Sequence, residues 1–256
     1  VLVTPTENKA YTVVAEPIDR SGFAIGTLAP KEGMKGLMPE QRSRALLTMA
    51  DMGMDHDMSS MDHSKMSEEA MADMMAQMRS GWAKTGAPRG DKVLSYSDLK
   101  FFGEQKDLRP AEREIKVTLG GNMERYIWTM NGKTEMDAQP IALRFGERVK
   151  LTFVNETMMA HPVHLHGMFV QLDNGQPAGK LPDKTVVIVP PGKSYSVLLT
   201  ANEAGEWAFH CHLLYHMASG MMNKVVVATL DEKDRDAKNL SLLATPAEHT
   251  GGSHVH

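Results

Sequence analysis

The chain has 256 residues, a net charge of −4 and a single cysteine, enough for one good-sized domain and part of another. No basic patch recommends a nucleic-acid partner, no run of about 18 apolar residues provides a membrane span, and one cysteine excludes an internal disulfide. The compositional outlier is methionine, with 21 residues, ten of them between Met49 and Met78.

In residues 1–30, "YTVVAEPIDRSGFAIGTLAP" reads as two strands around a turn at Asp19–Gly22. Thirty residues cannot bury a core of their own, so they are expected to be the last strands of a preceding domain. No signal peptide is visible, and the chain reads as a processed or excised piece. Residues 31–91 read as a linker or lid rich in Met, Asp, Ser and His, with almost no β-branched or aromatic residues to hold it in a sheet. Within it, Ser67–Arg79 could form a short helix. This stretch is either an acidic spacer or a device for capturing soft Cu(I), with Met49, Met52, Met54, Met58, Met61 and Met66 as thioethers and His56 and His63 assisting.

Residues 92–235 are a run of short strands broken by turn chemistry. "EIKVTLGGN", "RYIWTMNGK", "PIALRFGERVKLTFVNE", "HPVHLHGMFVQLDNG", "KTVVIVPPGKSYSVLLTA", "GEWAFHCHLL" and "NKVVVATL" follow one another. Val149, Leu151 and Phe153 share one face, as a half-buried strand requires. Seven or eight strands without a long helical pattern predict an all-β antiparallel sandwich or barrel. Residues 236–256 are expected to be a flexible tail, with His249, His254 and His256 available to stray metal.

Six of the eleven histidines and the cysteine sit in two segments, "HPVHLHG" (161–167) and "HCHLLYHMASGMM" (210–222). Successive strand side chains point to opposite faces. Cys211 therefore looks one way, and His210 and His212 look the other. His164 and His166 also share a face and can meet them. His161 faces away from His164 if the strand persists through Pro162, and it then joins the cysteine side. Cys211, His161 and His216, with Met221 or its neighbour Met222 as a distant thioether, form the donor set of a blue-copper electron-transfer centre; Met221 is the favoured axial donor. Structural zinc sites prefer several cysteines or a Cys₂His₂ spacing, and neither occurs here. The opposite face offers imidazoles alone, which suit copper ions that bind and reduce oxygen.

These two segments resemble the paired C-terminal signatures of the multicopper oxidases. The Met/Asp/His linker and the phrases "DRSGFAIGTLAP" and "LLTMADMGM" resemble the CopA-type copper-resistance members in particular. The resemblance covers nearly the whole chain. It implies a third, C-terminal cupredoxin domain, a Greek-key β-sandwich or barrel preceded by the Met-rich linker. It also implies type 1 copper on His161, Cys211, His216 and Met221, type 2 copper on His164, and type 3 copper on His166, His210 and His212. Electrons would enter at type 1, cross Cys211 into His210 and His212, and reduce O2 to water at a trinuclear cluster. That cluster takes eight histidines in the family, and this chain supplies four. The rest are expected from an N-terminal part of the same oxidase, as a separate chain or fragment. Where related oxidases often carry acids beside the second type 1 histidine, this chain has Tyr215 and Met217, leaving Glu206 as the candidate for proton relay.

Met158 and Met159 precede His161 and, with the linker, favour Cu(I) as reductant in copper detoxification, in the periplasm by family resemblance. A laccase-type phenol oxidase is the alternative. A non-catalytic copper-binding or electron-transfer cupredoxin is the alternative of another class, although such a protein has no use for four histidines behind the thiolate strand. Copper nitrite reductases are disfavoured by the His-Cys-His sandwich.

Overall fold

The computed structural model describes residues 2–44, 50–52, 67 and 93–229, in two compact units divided between Val93 and Leu94. Most of the Met-rich stretch and the whole histidine tail lie outside the described residues.

In the first unit, β1 (Tyr11–Ala15) pairs antiparallel with β2 (Ala24–Leu28), with Tyr11 opposite Leu28 and Ala15 opposite Ala24. The connection is the expected turn: the Arg20 amide donates to the Pro17 carbonyl, and the Ser21 amide donates to the Asp19 carboxylate at 3.0 Å. Arg20 takes a positive φ of 57° to close it. Every residue of β2 is exposed, as expected of a hairpin too small to bury a core.

Among its described residues, the second unit contains eleven strands. One sheet runs β10 (Val186–Val189), β7 (His161–Leu165), β12 (Gly205–Cys211), β13 (Met222–Ala228) and β5 (Ile141–Arg144). The other runs β4 (Ile127–Met130), β3 (Arg113–Asn122), β6 (Arg148–Asn155), β11 (Ser194–Thr200), β8 (Val170–Leu172) and β9 (Asp183–Lys184). A short α-helix, α1 (Leu214–Ala218), follows β12. The strand count exceeds the seven or eight predicted because continuous apolar runs break at bends. "HPVHLHGMFVQL" divides into β7 and β8 around Gly167, which has a φ of 75°. The sheets are also mixed, since β3 pairs parallel with β6 and β13 parallel with β5. Alternation in sequence reports which face is buried, not which strand lies alongside.

The core forms between the two sheets. Along β6, Val149, Leu151 and Phe153 are buried as predicted, and Phe153 meets Phe209 of the opposite sheet with ring centroids 6.0 Å apart. Val163, Leu165, Phe209, Cys211 and Met221 belong to the same buried cluster. The architecture is all-β and cupredoxin-like. Among the described residues, no helix is long and apolar enough to cross a membrane.

Candidate metal centre

The register of two neighbouring strands builds the centre. Strand β12 lies antiparallel beside β7, with Phe209 opposite Leu165, His210 opposite His164 and Cys211 opposite Val163. The pairing continues past the strand ends: the His166 amide donates to the Ala208 carbonyl at 2.9 Å, and the His212 amide to the Pro162 carbonyl at 2.7 Å. Because facing residues share a side of the sheet, four histidines fall on one face, while Cys211 and His161 fall on the other.

On the inner face, Cys211 Sγ lies 3.7 Å from His161 Nδ1 and 3.8 Å from His216 Nδ1, and the two nitrogens are 3.1 Å apart. All three residues are buried. His216 arrives from α1, five residues beyond the cysteine. The segment then folds back, so that the Met221 amide donates to the His216 carbonyl and the Cys211 amide to the Met221 carbonyl. Met221 is wholly buried beside the cysteine on this closed loop. Gly220 permits the closure: its φ is 116°, and a Cβ there would come within 2.7 Å of the Trp128 carbonyl oxygen.

The donor atoms are prepared chemically. His161 Nε2–H donates to Thr157 Oγ1 at 2.7 Å, because the Thr157 hydroxyl hydrogen is itself donated to Asn155 Oδ1 at 2.8 Å. That chain leaves Nδ1 of His161 with its lone pair directed at the thiol, the outer-shell arrangement that fixes a ligand tautomer. Burial, and then the neighbouring His216, hold the His161 imidazole down to about 3, so it is neutral at any physiological pH. Burial lowers His216 as well. The same desolvation pushes the Cys211 thiol up to about 11, and only a soft cation taking the proton's place makes it a thiolate near neutrality. Two neutral imidazoles and one displaceable thiol proton in a dry pocket fit a type 1 copper site, and copper is the cofactor this centre takes.

On the outer face, His164, His166, His210 and His212 form a cluster with ring centroids 4.6 to 6.0 Å apart along its close pairs. His166 Nε2 and His210 Nε2 stand 3.0 Å apart. The His164 Nδ1–H donates to the Thr185 carbonyl at 2.7 Å and the His210 Nδ1–H to the Cys211 carbonyl at 2.9 Å. Both rings thus present Nε2, opposite to the choice at His161. Partial burial and the three surrounding imidazoles lower His166. Gly167, next to His166, leaves no room for a side chain, since a Cβ would overlap the Trp207 ring. Gly167→Ala is expected to cost about 2–3 kcal/mol from the clash together with a left-handed backbone, measurable as a lowered denaturant midpoint.

Of the other candidate residues, Met158 is exposed, whereas Met159 packs against the core and its carbonyl accepts from Asn155 Nδ2. Met52 is half-buried in a one-turn helix over Ala50–Met52. Met49, Met54, His56, Met58, Met61, His63 and Met66 lie outside the described residues. Glu206 pairs with Lys224 at the exposed far end of β12, roughly 13 Å along the strand from His210 at ~3.3 Å per residue. Tyr215 is exposed beside it in sequence to His216. Sequence reasoning missed Thr157, Asn155 and Trp128. The Trp128 ring is fully buried and stacks on His216 with centroids 4.1 Å apart. The alternation of Trp128 with Met130 was a signal of burial, but nothing in it identified the partner.

Residues 108–231 match the family pattern described as multicopper oxidase. Copper resistance protein A of Escherichia coli is 36% identical over 89% of this chain and 47% of its own length. A copper resistance protein A homolog of Pseudomonas syringae pv. tomato is 38% identical, covering 89% of this chain and 46% of its own length. The chain therefore spans about half the length of the curated relatives it matches. Among solved structures, the McoA multicopper oxidase of Aquifex aeolicus aligns at 27% identity over 49% of this chain and 31% of its own, with a TM-score of 0.41. On the family match over residues 108–231 and the likeness to the copper resistance proteins, the chain belongs to the multicopper oxidase family.

Proposed function

We propose that this chain is the electron-accepting, carboxyl-side part of an oxidase that couples one-electron oxidation of a reductant to reduction of O2 to water. The observation that carries the proposal is the back-to-back geometry of β12: Cys211 is buried with His161 and His216 on one face, while His210 and its three companions cluster on the other. In the bound state, copper on the inner face supplies one-electron redox chemistry, and copper held by the outer cluster supplies the site of oxygen reduction. The residues divide the work. His161, Cys211, His216 and Met221 hold the type 1 ion. His164 serves type 2, and His166, His210 and His212 serve the type 3 pair. The covalent link from Cys211 to His210, reinforced by the His210-to-carbonyl hydrogen bond, joins the two centres through one strand.

Four outer histidines are half of the eight a trinuclear cluster takes, so the remaining donors come from an N-terminal part of the oxidase, in the same polypeptide or another. The mass and copper content of the native particle test this. A particle including that N-terminal part with a full complement of type 1, type 2 and type 3 copper supports the proposal; full oxidase activity from this chain alone, or a native single-copper monomer, overturns it.

The reductant we favour is Cu(I), oxidised in copper detoxification in the periplasm. Thioethers prefer soft Cu(I), methionine is concentrated at 49–78, and the relatives are named for copper resistance. Deleting residues 49–78 from the complete oxidase is expected to abolish Cu(I) turnover while phenol turnover is kept or raised. Equal loss of both, or loss of phenol turnover alone, would favour the laccase-type reading.

A further inference from the structure

A reductant cannot touch the copper ligands directly: His161 is 0% and His216 2% exposed. What covers His216 is aromatic. Trp128 on β4 lies almost parallel to its ring, 4.1 Å centroid to centroid with an interplanar angle of 25°, and reaches the edge of His161 at 5.0 Å. Tyr126 in turn stands edge-on to Trp128 at 5.7 Å and to His216 at 6.1 Å. Tyr126 is 41% exposed, so this pair runs without interruption from solvent to a ligand imidazole.

Two features of the pair carry a cost that packing alone does not explain. Tyr126 occupies a φ of 51°, the left-handed region that a bulky side chain avoids and that recurs where strain serves function. The Trp128 Nε1–H is buried and has no hydrogen-bond partner among the described residues, an uncommon state for an indole. The hairpin is nevertheless clamped onto the ligand loop, because the Trp128 amide donates to the Ser219 carbonyl at 3.0 Å.

Resting on the copper reading of the inner face, we infer that Tyr126 and Trp128 form the electron-entry path of this domain. A small outer-sphere one-electron donor rests against the exposed Tyr126 ring and loses one electron. That electron crosses the Tyr126 and Trp128 π-systems to the His216 imidazole and reduces the bound Cu(II) to Cu(I). Neither ring is itself oxidised and no proton moves, in keeping with an indole N–H that has no acceptor. The two aromatics act through His216 and are positioning residues for electron transfer. The other exposed aromatic near the centre, Tyr215 at 81% exposure, makes no described ring contact with His216 and serves as the control.

The test is anaerobic stopped-flow reduction of the copper-loaded chain by hexaammineruthenium(II), followed at the blue absorption band. Tyr126→Ala and Trp128→Leu are each expected to slow bleaching by about tenfold, a barrier change of ~1.4 kcal/mol. Trp128→Phe should recover most of the rate, and Tyr215→Ala should leave it unchanged. The band position and midpoint potential should stay at wild-type values in Tyr126→Ala. In the same chain, copper loading should quench the tryptophan emission that Trp128→Phe removes. Unchanged bleaching in Tyr126→Ala, a slowing that tracks a shifted potential, or Trp128 emission indifferent to copper would each overturn the path. A wild-type chain that takes up copper without a blue band would overturn the copper reading instead, so the two failures are distinguishable.

Discussion

Cys211→Ser is expected to remove the blue absorption completely and to lower copper affinity at the inner face by more than ~100-fold, beyond the 10–100-fold typical of losing an outer-shell partner. The reason lies in the donor set. A serine hydroxyl keeps the shape of the thiol, but it neither ionises under a copper ion near neutrality nor offers the soft donor that distinguishes this site from an ordinary pair of imidazoles. Oxidase turnover of the complete enzyme should fall to background, because without the thiolate the backbone link from residue 211 to His210 no longer starts at a copper donor. The fold should survive. Cys211 is wholly buried among core residues, so a hydroxyl there costs about 1–3 kcal/mol if left unpaired, and Cys211→Ala provides a second variant without that polar group. Visible absorption, copper stoichiometry and a denaturant midpoint on the metal-free chain separate these effects. A blue band persisting in either variant would remove Cys211 from the ligand set.

The second large effect is the acid sensitivity of the metal-free chain. Burial, then His216, holds His161 at about 3 in the folded state, whereas the unfolded chain takes up a proton near 6.5. The folded pKa is depressed, so this contribution to stability is complete above pH 6.5 and is lost as the pH falls from 6.5 toward 3. At ~1.4 kcal/mol per pKa unit, the loss is on the order of 5 kcal/mol. His216, lowered by the same desolvation, acts in the same direction. Cys211 has the opposite sign of shift. Its thiol is pushed from 9.0 to about 11, so its contribution is complete below pH 9 and is lost as pH rises from 9 to 11, by roughly 2–3 kcal/mol. The metal-free chain is therefore expected to be most stable between about pH 7 and 9. Copper, competing with protons for the same nitrogen lone pairs, should raise the midpoint most within that window and be released on acidification. Urea titrations of the metal-free chain at pH 7, 5.5 and 4 check the acid limb, with His161→Gln as the comparison. Equal midpoints at all three values in the wild type would contradict a buried neutral imidazole.

Much of this centre follows from a few residues read in order. A strand alternates faces, so "HCH" separates a thiol from two imidazoles, and "HLH" places two more imidazoles on one side; no tertiary information enters that inference. The position of His161 required one further assumption, that extension persists through Pro162, and β7 runs from His161 to Leu165 with Pro162 inside it. The proline is tolerated although β7 lies inside the sheet: its ring simply lacks the amide donor, while its carbonyl accepts from His212. Other features depended on partners distant in sequence. Glu206 shares a strand with His210, but strand length carries it to the far end, where Lys224 binds it.

Chemistry and facing were thus determined by the sequence alone: which donors exist, how many lie on each side of Cys211, and that an all-β framework holds them. The local period of a strand is a covalent property, and it acts on neighbours whatever the rest of the chain does. Strand pairing, the parallel β3–β6 and β13–β5 ladders, and the one-to-one opposition of His210 and His164 were decided only by the tertiary structure, because register depends on surfaces that meet after folding. The same holds for the environment of the proposed copper ligands. Thr157 selects the tautomer of His161 from four residues away, and Trp128 reaches His216 across 88 positions of chain. Long-range packing, not any motif, brings that indole onto the imidazole and determines how an electron can reach a site with no exposed ligand.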